Sequence, residues 1–346
     1  MDSGYSPVGL VRNLTYSFPI GGVIRTGTTV ERVKQGRTLT LPSKLDEFIL
    51  TDKIRDDTGQ WVRHELDAKL REQYGTVCED GTKRLRRLPV TLAFDRPELS
   101  ISEQYAAFSQ EGRPICVGNG EKARRRTMTE DGPLVEDYDC PGSDDCEFGK
   151  KARCGLFLRL VVRIEGQSEL DGLFILRTGS VNCVTDTRTF VEHMRALFGG
   201  RVAGVPLWLV LEPKQTAMSR QSVFWHASFR PRFASLLQAA GQLNATRQEE
   251  LAAGIDRAAG ESMLTTLRGN GVLAEDGADD GAMFDDLLAA RFMDPETEHR
   301  VEVKGRRPAM APSAAASLAV AELQGLLEGR PVAANSPESP VVASQG

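Results

Sequence analysis

Four cysteines, Cys116, Cys140, Cys146 and Cys154, crowd into 39 residues of a 346-residue chain, in a segment rich in Arg, Asp, Glu and Gly. Cytosolic thiols are usually buried singly, as small hydrophobes, and a polar stretch such as 109–151 does not suit a core strand. The cysteines are separated by 23, five and seven residues. Zinc takes four thiolates at tetrahedral corners, about 2.3 Å from the ion, and short loops can deliver them without regular structure. Pro141, Gly142, Ser143 and Gly149 permit tight reversals, and the two glycines of VGNG after Cys116 can turn amides towards a sulfur. The spacing is not the paired CxxC pattern of zinc knuckles, and four unrelated thiols is the alternative; metal is favoured. A closed site of this kind has no open position for water, so the ion would be structural, stapling the loop without catalysing. Cys78 and Cys183 lie outside the segment and are expected to be isolated thiols, Cys183 buried at the end of a strand.

The metal reading depends on compartment. The first residues carry no basic start followed by a long apolar run, so no secretory signal is expected. The longest apolar stretches, such as 205–211, fall far short of the roughly 20 residues that span a bilayer. A cytoplasmic chain with no membrane association is expected, and in that reducing setting a disulfide framework is disfavoured. The net charge of −5 argues against a protein that coats nucleic acid nonspecifically.

Periodicity predicts an α+β fold: an antiparallel sheet with packed helices, a zinc-stapled loop and a helical C-terminal extension. Residues 1–45 show no sustained period and are expected to form an irregular arm. The α+β core is expected over 46–230, with the four-cysteine loop at about 110–155. Within it DEFILT (46–51) alternates like a strand, RDDTG (55–59) is a turn, and a helix is expected over 64–74. RLRRLPVTLAF (84–94) is a strand. GLFLRLVVRI (155–164) and GLFILRT (172–178) should form a hairpin, as should 205–212 and 222–229. Between them a helix reaches Phe198, capped by Thr185 or Asp186. Residues 231–329 form the helical region, with helices near 232–243, 246–259, 282–292 and 316–328, and 330–346 is a disordered tail.

Charge is segregated around the cysteines. Lys122, Arg124, Arg125 and Arg126 precede a stretch, 130–147, that holds eight acids and no Lys or Arg. A protrusion of two signs suits docking on a protein better than gripping a duplex. Arg84, Arg86 and Arg87 form a second basic run and Lys304–Arg307 a third; the first two supply candidate partner or nucleic-acid contacts, although short runs commonly mark a solvated face. Catalytic signatures are missing: there is no Walker loop, GxGxxG or GxSxG. His64 and Glu65 begin an HExxH-like pattern, but Ala68 stands where the second histidine belongs. His193 and His226 fit structural or solvent-facing roles, so no catalytic residue is assigned.

DEFILT followed by RDDTGQW, LPVTLAFDRPEL (88–99), and RPICVGNGE (113–121) leading into the spaced cysteines together resemble the recombination directionality factor family of phages and integrative elements, over approximately residues 40–230. Some relatives carry the label "hydrolase or metal-binding protein". The resemblance implies a non-enzymatic protein that binds a site-specific recombinase (an integrase) seated on attachment-site DNA and switches it from integration to excision, binding DNA weakly or not at all by itself. It also implies that the matching positions Cys116, Cys140, Cys146 and Cys154 are zinc ligands. Two alternatives remain open at this point: a metal-dependent hydrolase or nuclease of a mobile element, and a DNA-binding accessory protein.

Overall fold

The computed structural model describes residues 19–34, 37–109, 114–130, 132–167, 172–215 and 223–269. The first half builds β1 (Gly22–Lys34), β2 (Arg37–Arg55), β3 (Trp61–Arg63), α1 (Glu65–Tyr74), β4 (Thr76–Val77), β5 (Lys83–Arg84), β6 (Arg87–Thr91), α2 (Pro97–Ser100), β7 (Ile101–Phe108) and β8 (Pro114–Gly118). The second half adds β9 (Lys122–Thr129), β10 (Gly132–Asp139), α3 (Glu147–Lys151), β11 (Gly155–Ile164), β12 (Leu173–Thr178), α4 (Val181–Leu197), β13 (Leu207–Lys214), β14 (Phe224–Pro231), α5 (Leu236–Ala252) and α6 (Arg257–Gly269). Among the described residues twelve strands form one sheet, nine of them in the order β10-β9-β8-β7-β11-β12-β1-β2-β3 and β6, β13 and β14 branching from β11, and β4 and β5 pair separately. The expected α+β class with a mostly antiparallel sheet is observed, together with six helices among the described residues.

The most apolar runs take the centre. Every residue of β12 is buried, as is most of β11, so both faces of these strands are covered and their sequences are nearly continuous in Leu, Val, Ile and Phe. They pair antiparallel from Leu158↔Thr178 to Arg163↔Leu173, the hairpin the sequence predicts. β1 joins β12 in parallel at Gly22–Ile24, while β7 and then β6 occupy successive stretches of the other edge of β11. β13 continues from β6, and β14 from β13. Side chains of α1, α4 and α5, among them Leu66, Leu70, Val191, Met194 and Leu243, complete a single large core with Phe48, Leu88, Leu160, Phe174 and Phe229. Each fully buried Phe there contributes about 2–3 kcal/mol of transfer free energy.

Local chemistry sets the ends of the helices. His64 caps α1, its Nδ1 accepting from the Leu66 amide at 3.1 Å, and RDDTG turns as expected, with Asp56 Oδ1 accepting from the amides of Thr58 and Gln60. α4 is capped by Ser180, five residues before Thr185 and six before Asp186, the expected caps, and Ser180 accepts from the Cys183 amide. Cys183 therefore lies in the first turn of a helix, not at the end of a strand; it is fully buried, and burial pushes its thiol up to about 12.

Two further segments differ from expectation. Residues 22–34, expected within an irregular arm, form β1 and pair with β2 as far as Lys34↔Arg37. The polar cysteine segment is no collection of loops: it contributes β8, β9 and β10 to one wing of the sheet. Helices are found beyond β14 but with other bounds: α5 runs through the break expected at 244–245, the chain breaks instead at 253–256 with Gly254 at φ +79°, and α6 lies mostly beyond the expected end at 259. Residues 1–18, the expected helices near 282–292 and 316–328, the basic run at 304–307 and the tail from 330 lie outside the described residues. No helix among the described residues is long and apolar enough to cross a membrane.

Candidate functional site

The four spaced cysteines meet where β8, the end of β10 and the start of β11 converge. Cys116 is the central residue of β8, paired across the ladder with Ala107 on β7 and Arg125 on β9. Cys140 follows β10 directly, its amide bonded to the Glu121 carbonyl at 2.9 Å. Cys146 caps α3, and its sulfur accepts from the Gly149 amide at 3.2 Å. Arg153, held at φ +53°, then turns the chain so that the Cys154 amide reaches the Gly149 carbonyl at 2.7 Å immediately before β11.

Glycines let these backbones close up. A Cβ on Gly149 would stand 3.1 Å from the Cβ atoms of both Cys146 and Cys154, and one on Gly118 only 2.7 Å from the Cys140 sulfur. Cys116 and Cys140 are buried with Ala107 and Ala123, and Cys154, Phe148 and Ala152 pack against them. Burial raises the Cys116 thiol above its ordinary range; Arg125 opposes this by hydrogen bond and charge, and the neighbouring Cys140 and Cys146 reinforce it. The four residues thus share one neighbourhood. As the side chains stand, no group of three or more His, Cys, Asp or Glu among the described residues is arranged to hold a metal ion.

The charged segments flanking this neighbourhood form the β9–β10 hairpin, where the two signs face each other. Lys122 lies opposite Asp139, Arg124 opposite Asp137, Arg125 opposite Glu136 and Arg126 opposite Val135. Lys122 Nζ is 2.6 Å from Asp139 Oδ1 and Arg124 Nε is 3.5 Å from Asp137 Oδ1, both pairs largely exposed. Strand alternation divides the basic run: Lys122, Arg124 and Arg126 share one face, while Ala123 and Arg125 point towards the cysteines.

A family model described as Gp3-like, recombination directionality factor-like, matches residues 21–235. The match spans more than half of the chain, the whole sheet and all four cysteines. The chain belongs to the recombination directionality factor-like family. Comparisons with curated proteins and with solved structures found no match.

In this recombination directionality factor-like protein the other basic run, on β5 and β6, is engaged within the fold. Arg84 pairs with Asp46 and, at 2.6 Å, with Asp80; Arg86 pairs with Asp46 and lies 4.4 Å over the Trp225 ring. Arg87 stacks at 5.2 Å on Trp208. Arg84 lies in the separate β4–β5 pair and Arg87 on β6, which joins β11 with β7 and β8 between it and β9, the strand that carries Lys122, Arg124, Arg125 and Arg126. The histidines are equally separate. His226 is buried with Nε2 2.9 Å from Asp186 Oδ2, His193 is exposed on α4, and His64 serves as a cap.

Sequence reasoning missed the aromatic setting of Arg125. Its guanidinium carbon lies 3.8 Å from the Phe148 ring centre and 4.3 Å from that of Tyr138. The available signal was parity: within a strand, Arg125 must face opposite to Arg124 and Arg126, towards the side that Cys116 occupies.

Proposed function

We propose that this protein binds a site-specific recombinase of a mobile element, alone or on its DNA, and so controls excision against integration without bond-making chemistry of its own. Membership of the recombination directionality factor-like family, over a span that includes the cysteine wing and the sheet behind it, is the observation that carries this reading. The physical requirement is small. A factor that favours one recombinase conformation by about 3 kcal/mol shifts its population more than a hundredfold.

In the same reading zinc is bound by Cys116, Cys140, Cys146 and Cys154. The donor set suits the ion in kind: four thiols, two of them buried, in a small apolar pocket with an amide on one sulfur. Bound zinc supplies cross-linking of the loop, and with four sulfurs it keeps no position for a reacting water. The sulfurs would have to draw together from their present positions. Cys146 and Cys154 sit on the 146–154 loop and Cys116 and Cys140 on the sheet wing, so ligation would tie the loop to the wing.

The test is recombination in vitro with the large serine recombinase encoded in the same element. Adding this protein is expected to promote excision between the hybrid attachment sites and to suppress integration. An unchanged ratio, with no complex between the two proteins in the cytoplasmic buffer range of salt, would sink the proposal. Metal-dependent DNA cleavage by the protein alone would favour the hydrolase or nuclease alternative; salt-sensitive DNA binding without recombinase would favour the accessory one.

A further inference from the structure

We propose that Arg125 is a positioning residue for the four-cysteine cluster, supplying its counter-charge and fixing the β9–β10 hairpin to it; this rests on the zinc reading above. Arg125 stands directly across the ladder from Cys116 on one side and Glu136 on the other, so its backbone is set by both neighbouring strands. The side chain turns to the cysteine face, where it lies over Phe148 of the cysteine cluster and its charge acts to lower the Cys116 thiol. Phe148, from the loop that carries Cys146 and Cys154, and Tyr138, two residues before Cys140, hold the plane of the guanidinium. Its Nε is buried without a hydrogen-bond partner.

Each of these contacts is to a residue that carries, or adjoins, a different thiol. Four thiolates around a divalent ion carry a net charge of −2, in a pocket walled by Ala107, Ala123, Phe148 and Ala152. A fixed cation in that pocket offsets the excess charge, and a planar one can also stack on two rings at once. Lys122 and Arg124 do not compete for the role, since their side chains are paired with Asp139 and Asp137 on the far face.

The experiment uses the full chain loaded with zinc and competed against a chromogenic chelator. Arg125→Gln is expected to weaken zinc retention about 10- to 100-fold, as loss of an outer-shell partner commonly does. Lys151→Gln, which removes an exposed cation from the same loop, is expected to leave it unchanged. Arg125→Lys keeps the charge but not the plane that stacks on Phe148 and Tyr138, and is expected to fall between the wild type and Arg125→Gln. Zinc held equally by the wild type and Arg125→Gln overturns the inference alone. So does a loss in Arg125→Lys as large as in Arg125→Gln, since the charge is then without effect; if Arg125→Gln fails to fold, an Arg125→Lys chain that folds and holds zinc as the wild type does decides against the stacked guanidinium. A wild-type chain that takes up no zinc overturns the metal reading and this inference together.

Discussion

The Cys146 sulfur accepts a hydrogen bond from the Gly149 amide, three residues on, at 3.2 Å. The same contact caps α3, so the side chain has a structural role apart from any metal. Serine is also a good cap. Cys146→Ser is therefore expected to keep α3 and the fold while losing zinc, measured as a fall from about one metal per chain, the stoichiometry of a four-thiolate site, to nearly none by atomic emission. Zinc content unchanged in this variant would remove Cys146 from the ligand set.

Gly118 is fixed by contact, since an added Cβ would meet the Cys140 sulfur at 2.7 Å and Ala123 Cβ at 2.8 Å. Gly118→Ala is expected to destabilise the protein by about 1–3 kcal/mol, the usual cost of overpacking. Urea denaturation measures it, and a variant as stable as the wild type would show that β8 and Cys140 can separate at little cost.

Asp46 joins β2 to the β5–β6 segment through Arg84 and Arg86. Burial acts to raise its carboxyl, but the hydrogen bonds and charges of the two arginines outweigh it and hold the group below 3.8. Because the folded value is depressed, the stabilisation is fully present above the unfolded value near 3.8 and is lost as pH falls through the folded one. Asp46→Asn should cost about 1–2 kcal/mol at neutral pH, with the difference from wild type narrowing in acid, as pH falls below 3.8. Denaturation curves at neutral and acid pH decide this; a gap that persists in acid would assign the effect to packing.

Glu261 on α6 is 5% exposed, and its carboxylate accepts from the amides of Asp95 at 2.8 Å and Arg96 at 3.0 Å. It fastens α6 to the turn before α2. Glu261→Gln turns one acceptor into a donor facing an amide, and a loss of about 2–3 kcal/mol is expected. Hydrogen exchange should show α6 opening more readily while β11 and β12 keep their protection. Equal exchange in α6 would mean that apolar packing alone seats it.

The sequence revealed those elements whose burial leaves a period. β11 and β12 were legible to within a residue because both faces demand apolar side chains, and α1 because His64 and the turn at 55–59 punctuate it. The start of α4 was obscured by Asn182, Cys183 and Thr187, buried residues whose polarity or branching reads as non-helical. β1 mixes Thr, Arg and Glu with its valines and the short alternation of β2 at 38–41 is broken at Pro42, while β9 and β10 are matched by cross-strand charges, so neither pairing stands out in hydropathy. The cysteine neighbourhood was legible from spacing. The role of Phe148 and Tyr138 was not, because contact between α3 and β9 depends on a fold that spacing does not specify.

The facing charges of the β9–β10 hairpin bear on how a partner would find it. Between 122 and 139 four cations and five carboxylates nearly cancel, and Lys122–Asp139 and Arg124–Asp137 cancel locally as dipoles. Beyond a Debye length of about 8 Å such a projection exerts almost no pull. Any molecule docking there must collide first and be sorted by touch, at an association rate nearly indifferent to ionic strength.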